Sequence, residues 1–285
     1  MGKVVLVILS ILATIILLII TVIFIANLLF NQKVAREVKE LFADNSEDSD
    51  GIIQKSDLEK LPIPVQKWLK YSQVVEKEKI RAVRLKQKAI MRLKEEQSWM
   101  PVEAEQYFTI DEPGFIWKAR IKAAPLFYIV GRDKYYKGKG NMLIKVLSLI
   151  PVADSKGKEM DQGTLLRYLA EMVWFPTAAL SSYITWEEID TNSAKTTMSY
   201  GGITASGVFT FNDKGEVINF VAERYREHDG QYSLETWSVT MGNYEEFDGI
   251  KIPTMGEVTW KLETGDFTWF KFEVTEIEYN KPVVY

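Results

Sequence analysis

The stretch Val217-Ile-Asn-Phe-Val-Ala-Glu-Arg-Tyr-Arg-Glu-His-Asp-Gly-Gln-Tyr-Ser-Leu-Glu-Thr-Trp-Ser-Val-Thr-Met241 decides the fold class. Two runs of alternating polarity flank Asp229-Gly230, a dipeptide suited to the positive φ angles of a two-residue hairpin turn. A turn there sets Ile218 opposite Met241, Phe220 opposite Val239, Ala222 opposite Trp237 and Arg224 opposite Glu235. One face of the hairpin is then apolar. It ends in Arg224, which needs a counter-charge if buried, with Glu235 the nearest candidate.

Working outward, the flanking segments repeat the pattern. Upstream, the loop Asn212-Asp-Lys-Gly215 pairs Phe209 with Ile218 and sets Phe220 against Gly207, an aromatic filling the space that a strand glycine leaves. Downstream, the loop Glu263-Thr-Gly-Asp266 pairs Leu262 with Phe267 and Trp260 with Trp269, while Phe270, Phe272 and Val274 cover the other parity. Period-two runs also mark Val83 to Leu93, Val102 to Ile110, Phe115 to Ala123, Leu126 to Val130 and Ile184 to Asp190. The expected fold is mainly β, in the α+β class: a large curved antiparallel sheet or incomplete barrel with one covering helix, preceded by an N-terminal transmembrane helix.

The covering helix is read from an Asp161 N-cap to Phe175, stopped by Pro176. Leu165, Leu166, Leu169, Met172 and Val173 form a stripe that should lie on the sheet, and Arg167, Glu171 and Trp174 line up on the other side. Arg before Glu is the weaker order for a helical ion pair and gains at most a few tenths of a kcal/mol when exposed. Stability alone is therefore a thin reason for the stripe. A shorter amphipathic helix begins near Pro64, with Val65, Trp68 and Leu69 on its apolar face.

From Val4 to Ala26 the chain runs 23 residues without a charge, broken only by Ser10, Thr14 and Thr21. At about 1.5 Å per helical residue this spans a hydrocarbon core of roughly 30 Å. The run is about twice the usual length of a signal-peptide core and no A-x-A site follows, so it reads as an uncleaved single-pass anchor in the cell membrane. Lys33, Arg36 and Lys39 on its C-terminal flank outnumber Lys3 and favour a cytoplasmic domain. A short basic N-terminus before a long apolar run is the layout of a signal anchor and favours an extracytoplasmic one, the reading adopted against that count. Residues 1–30 are the anchor, 31–55 a juxtamembrane helix and acidic linker, and 56–285 the β-rich domain. An extended linker of about ten residues, Ala43 to Gly51, reaches at most ~35 Å and keeps that domain near the bilayer.

A net charge of −4 leaves no basic field to attract nucleic acid. The chain has one histidine, His228, and no cysteine, which argues against a zinc site, and no cofactor is expected. It carries no nucleophile elbow, P-loop or H-E-x-x-H motif; Gly131 to Gly140 lacks the Walker spacing and reads as a strand-turn-strand corner. On the polar parity of the first long strand, Arg84, Lys86, Lys88 and Arg92 offer a face for anionic headgroups, but pairing with Glu103 and Glu105 across the sheet is the stronger reading. The aromatic side chains, 8 Trp, 13 Tyr and 14 Phe, need a core, a ligand or a partner.

The candidate ligand-binding residues are Arg132, Asp133, Arg167, Glu171, Trp174, Arg224, Glu235 and Trp237, a charged clamp beside an aromatic slot. They suit a membrane-anchored binding module holding a lipid-like or apolar ligand between the sheet and the helix. Two alternatives stand beside it: an envelope interaction or scaffold protein without a ligand cavity, and an enzyme of unrecognised type built on Arg132, Asp133, Glu171 and Arg224.

At Leu61-Pro-Ile-Pro-Val-Gln, Ala104-Glu-Gln-Tyr-Phe108, Arg167-Tyr-Leu-Ala-Glu-Met-Val-Trp-Phe-Pro-Thr177, Ala222-Glu-Arg-Tyr225 and Ile252-Pro-Thr254 the sequence resembles an uncharacterised bacterial family with an N-terminal membrane segment and one domain of unknown function. The resemblance covers nearly everything after residue 60; it implies a shared fold and supplies no activity. A looser likeness is to lipoprotein-carrier half-barrels, in which a curved antiparallel sheet wraps a helix and holds acyl chains. That likeness implies architecture only.

Overall fold

The structure, a computed structural model, describes residues 2–43, 51–228 and 230–285. The chain opens with one uninterrupted helix, α1 (Gly2–Ala43). A short helix α2 (Ile63–Tyr71) follows, then six strands: β1 (Ala82–Met91), β2 (Met100–Thr109), β3 (Gly114–Ala124), β4 (Phe127–Tyr136), β5 (Lys139–Val146) and β6 (Ile150–Ser155). Helix α3 (Lys158–Glu171) runs into two 3-10 turns, Met172–Trp174 and Pro176–Leu180. Seven more strands complete the chain: β7 (Ile184–Asp190), β8 (Ser193–Tyr200), β9 (Ile203–Phe211), β10 (Val217–His228), β11 (Gln231–Phe247), β12 (Ile250–Leu262) and β13 (Gly265–Tyr279).

All thirteen strands form one antiparallel sheet in the order β6-β5-β4-β3-β2-β1-β13-β12-β11-β10-β9-β8-β7. The sheet curls on itself, as the right-handed twist of successive strands requires of so wide a sheet. Its curl brings the β4–β5 turn onto the β8–β9 turn: a Cβ added to Gly138 would lie 2.7 Å from the Gly201 Cα. Both glycines have positive φ, and only residues without a Cβ allow the two backbones to meet. Helix α3 lies across the concave side, with Leu165, Leu166 and Leu169 fully buried against the sheet.

The helix differs from its sequence reading at its start. It begins at Lys158, and Asp161 is a buried residue of its first turn rather than the N-cap. The Asp161 carboxylate instead accepts the Gly140 N–H at 2.7 Å and a Lys139 Nζ bond at 2.9 Å, which ties α3 to β5. Two hairpin registers also differ. A bulge at Ile218 sets Phe220 opposite Phe209, yet the Phe220 ring still fills the space above Gly207. The β12–β13 turn is two residues, Glu263 and Thr264, because Gly265 takes the positive φ; Trp260 therefore faces Phe267 and not Trp269. The β10–β11 register matches the expectation at Phe220–Val239, Ala222–Trp237 and Arg224–Glu235, although Asp229 of its turn lies outside the described residues.

The core has two parts. The larger fills the concave side, where Trp68 of α2 stacks on Phe209 and Phe175 packs on Phe108 and Tyr168. The smaller lies on the convex side, where Phe30, Val34, Val38, Leu41 and Phe42 of α1 cover Ala82, Tyr107, Ile116, Val130 and Leu143. The C-terminal part of α1 is thus built into the domain, and it is this packing that fixes where the apolar span stands. Most of the acidic linker of the sequence reading, residues 44–50, lies outside the described residues.

On the basic face of β1, Arg84 and Lys86 find their counter-charges on β13 rather than on β2. Lys86 pairs with Glu276 at 2.7 Å and Arg84 with Glu278, while Glu105 of β2 is taken by Lys118 of β3 at 3.2 Å.

Candidate functional site

Between the concave face and α3 lies a cavity of about 210 Å³. Its walls are mostly apolar: Trp117 of β3, Trp237 of β11, and Trp269, Phe270 and Phe272 of β13, with Met91 and Ile144 toward one end. Inward-facing residues supply these walls from eight strands, β5, β4, β3, β1, β13, β12, β11 and β10, which span the middle of the sheet. The α3 side contributes Arg167, Ala170, Glu171 and, from the following 3-10 turn, Val173 and Trp174.

Six of the eight residues expected from sequence line this cavity: Asp133, Arg167, Glu171, Trp174, Arg224 and Trp237. Arg132 does not, and its place corrects the expected site. Neighbours on a strand face opposite ways, so with Asp133 inside, Arg132 points to the convex side. There its Nε lies 3.1 Å from Glu37 Oε2 of α1, an ion pair by distance whose angle falls outside hydrogen-bond range, and its Nη1 donates to the Asn141 carbonyl. Glu235 is also outside the lining; it stands opposite Arg224 in register, but part-exposed toward the hairpin end. The Arg224 guanidinium turns inward instead, 4.7 Å from the Trp237 ring centroid and 5.9 Å from that of Trp260.

Two residues of the wall escape a reading by parity alone. Gln87 interrupts the apolar parity of β1, and its Oε1 accepts the Trp117 indole N–H at 3.1 Å. That lone polar residue on an inward face was the available signal. Trp269 is carried inward beside the register shift at Val258 and Thr259, which no local pattern announces.

The charges are unequally served. Arg167 donates to Asp133 at 2.6 Å and to Glu171 at 2.8 Å, and Glu171 also accepts from Gln106 at 2.8 Å. Burial pushes the pKa of both carboxyls up, against the pull of Arg167. Burial works against the charge on Arg167 too, but Glu171 and Asp133 together outweigh it and hold its pKa above the ordinary value. Among the described residues Arg224 forms no ion pair comparable to these. Burial, reinforced by the like charge of Arg167, pulls its pKa down to about 10. Among the described residues its Nε has no acceptor, and neither have the indole N–H groups of Trp237 and Trp269. Such buried donors are uncommon in folded proteins, and here three of them belong to the wall of one cavity. Among the described residues no group of three or more His, Cys, Asp or Glu is arranged to hold a metal ion.

Over residues 51–272 the chain matches a family described as a family of unknown function, DUF6544. No curated protein matches it. Among solved structures it is similar to a domain described as outer membrane lipoprotein-sorting from Vibrio parahaemolyticus, at 10% identity and a TM-score of 0.41, over 72% of this chain and 87% of that one. It is also similar to a LolA superfamily protein from Nitrosomonas europaea, at 9% identity and a TM-score of 0.37, over 80% of this chain and 91% of that one.

Proposed function

The chain belongs to this family of unknown function, and from that premise we propose that it is a membrane-anchored binding module whose cavity receives the acid end of a single-chain amphiphile. The observation that carries the reading is the set of three acceptor-less donors, one of them the Arg224 Nε, in a cavity walled mostly by aromatic and aliphatic side chains. A carboxylate or similar oxyanion satisfies donors of this kind, while an alkyl chain suits the Trp and Phe walls.

The volume bounds the ligand. About 210 Å³ exceeds the ~150 Å³ of a cavity that holds benzene and falls below the ~300 Å³ at which drug-sized pockets begin. The cavity therefore takes the head and first carbons of an amphiphile, and the rest of a long chain lies outside it. On this reading the span Val4 to Ala26 crosses the bilayer and keeps the module beside a lipid source.

The test is quenching of tryptophan emission in the full chain, held in lipid nanodiscs, by a fatty acid brominated next to its carboxyl. No tryptophan precedes Trp68, so the apolar span is silent. Saturable quenching is expected for the wild type. Arg224→Met should weaken it at least about tenfold, the loss of one charged hydrogen bond, and Gly131→Leu, which fills the cavity, should abolish it. Equal quenching in wild type and Gly131→Leu would rule the cavity out.

A further inference from the structure

The turns β1–β2, β3–β4, β5–β6 and β12–β13 lie at one end of the sheet, because the strands they join are adjacent and antiparallel. The β3–β4 and β5–β6 turns are neighbours there, with the Leu147 N–H donating to the Tyr128 carbonyl at 2.9 Å. Helix α1 runs from the opposite end toward these turns. Leu41 touches Gly114 at the far end of β3, Glu37 meets Arg132 in the middle of β4, and the Asn27 side chain accepts from Ser148 Oγ in the β5–β6 turn at 3.2 Å. The apolar run ends at Ala26, one residue beyond that contact, so the span projects from the turn end of the sheet.

Large apolar side chains stand exposed on those two turns: Leu126 is 99% exposed, and Phe127, Leu149 and Ile150 are 41%, 43% and 56% exposed. Farther along β3 from the turn stand two cations, Lys122 exposed and the Arg120 guanidinium 3.5 Å from the Tyr128 ring centroid. Among the described residues none buries these four side chains, and they stand beside Asn27, where the apolar span leaves the domain.

We propose that this end of the domain docks on the bilayer, with Leu126, Phe127, Leu149 and Ile150 seated in its acyl boundary beside α1. The inference rests on the reading of α1 as a membrane span and is independent of what the cavity holds. It also gives the cavity a direction. Met91 closes β1, Ile121 and Ile144 stand near the ends of β3 and β5, and Trp269 near the start of β13, all in the half of the sheet that faces the docked end. A ligand then exchanges with the lipid directly.

The absence of native cysteine makes single labels clean. Leu126→Cys and Leu149→Cys, carrying an environment-sensitive fluorophore in the full chain reconstituted into phosphatidylcholine–phosphatidylglycerol vesicles, are exposed to lipids with a nitroxide on the acyl chain. Leu17→Cys in the span and Ile63→Cys on α2, at the opposite end of the sheet, are the references. Blue-shifted emission and strong quenching at 126 and 149, as at 17 and unlike 63, is the expected result. Labels at 126 and 149 that match 63 while 17 is quenched would overturn the docking and leave the anchor standing. A label at 17 that is itself unquenched would overturn both. Fatty-acid binding, read separately by tryptophan emission, fails or succeeds without touching either outcome.

Discussion

Arg167 and Arg224 face the same cavity, and their substitution separates structure from binding. Arg167 is the counter-charge of two buried carboxylates. Removing it in Arg167→Met leaves Asp133 and Glu171 without their partner, an effect of about 3–5 kcal/mol when a buried pair is broken. Arg224 is held by ring faces and acts on Asp133 and Glu171 only through space, with Arg167 making the direct bonds, so Arg224→Met should change stability by less than about 1 kcal/mol while ligand binding falls. Urea unfolding of the two variants checks this; equal destabilisation would mean that Arg224 is a structural cation. From sequence, Arg224 reads as an inward arginine with Glu235 the nearest counter-charge. Register places Glu235 across from it, whereas a side chain of arginine's length settles wherever desolvation and ring faces suit it, here toward Trp237.

At the scale of elements, the strands are legible through their two-residue period and their turns, while of three hairpin registers one slips at a bulge and one on the length of its turn. A bulge adds one residue for reasons of twist and curvature that alternation does not encode. The sequence reads as an anchor over residues 1–30 and a juxtamembrane helix after it, which the structure joins into α1; the convex core beneath α1 is not legible, since Phe30, Val34, Val38 and Leu41 form a stripe whose partner sits on the far side of a sheet. Their burial has a measurable consequence. A chain starting at residue 28 should unfold cooperatively, whereas one starting at 45 uncovers Tyr107, Ile116, Val130 and Leu143. At about 1.5–3 kcal/mol for each buried apolar side chain of α1, the shorter chain should lose most of its stability or aggregate. Matching thermal midpoints for the two truncations would show that α1 adds nothing to the fold.

At the scale of the molecule, the curl of thirteen strands assembles a charged cluster from β4, α3 and β10, and its ionisation is tied to global folding. Glu171 has a carboxyl pKa raised above its unfolded value, chiefly by burial, so the native state holds the proton longer than the unfolded one. Stability from this group is therefore fully present below the ordinary glutamate pKa of about 4.3 and falls as pH rises through the window up to the raised value. Glu171→Gln should flatten that fall, so the variant gains on the wild type between acid and neutral pH in urea unfolding; a constant difference would show that Glu171 ionises normally. Alternating polarity, turn dipeptides and an unbroken apolar run determined by themselves that the chain is an antiparallel β protein behind an apolar helix, because each of these is a local property of the backbone. Only the tertiary structure decided that Arg132 faces α1, that Trp117, Trp269 and Gln87 join Arg224 around one cavity, and that α1 leaves at the end where Leu126 and Leu149 stand exposed. Those relations depend on how far the sheet twists and curls, a sum over all its strands that no single stretch of sequence contains.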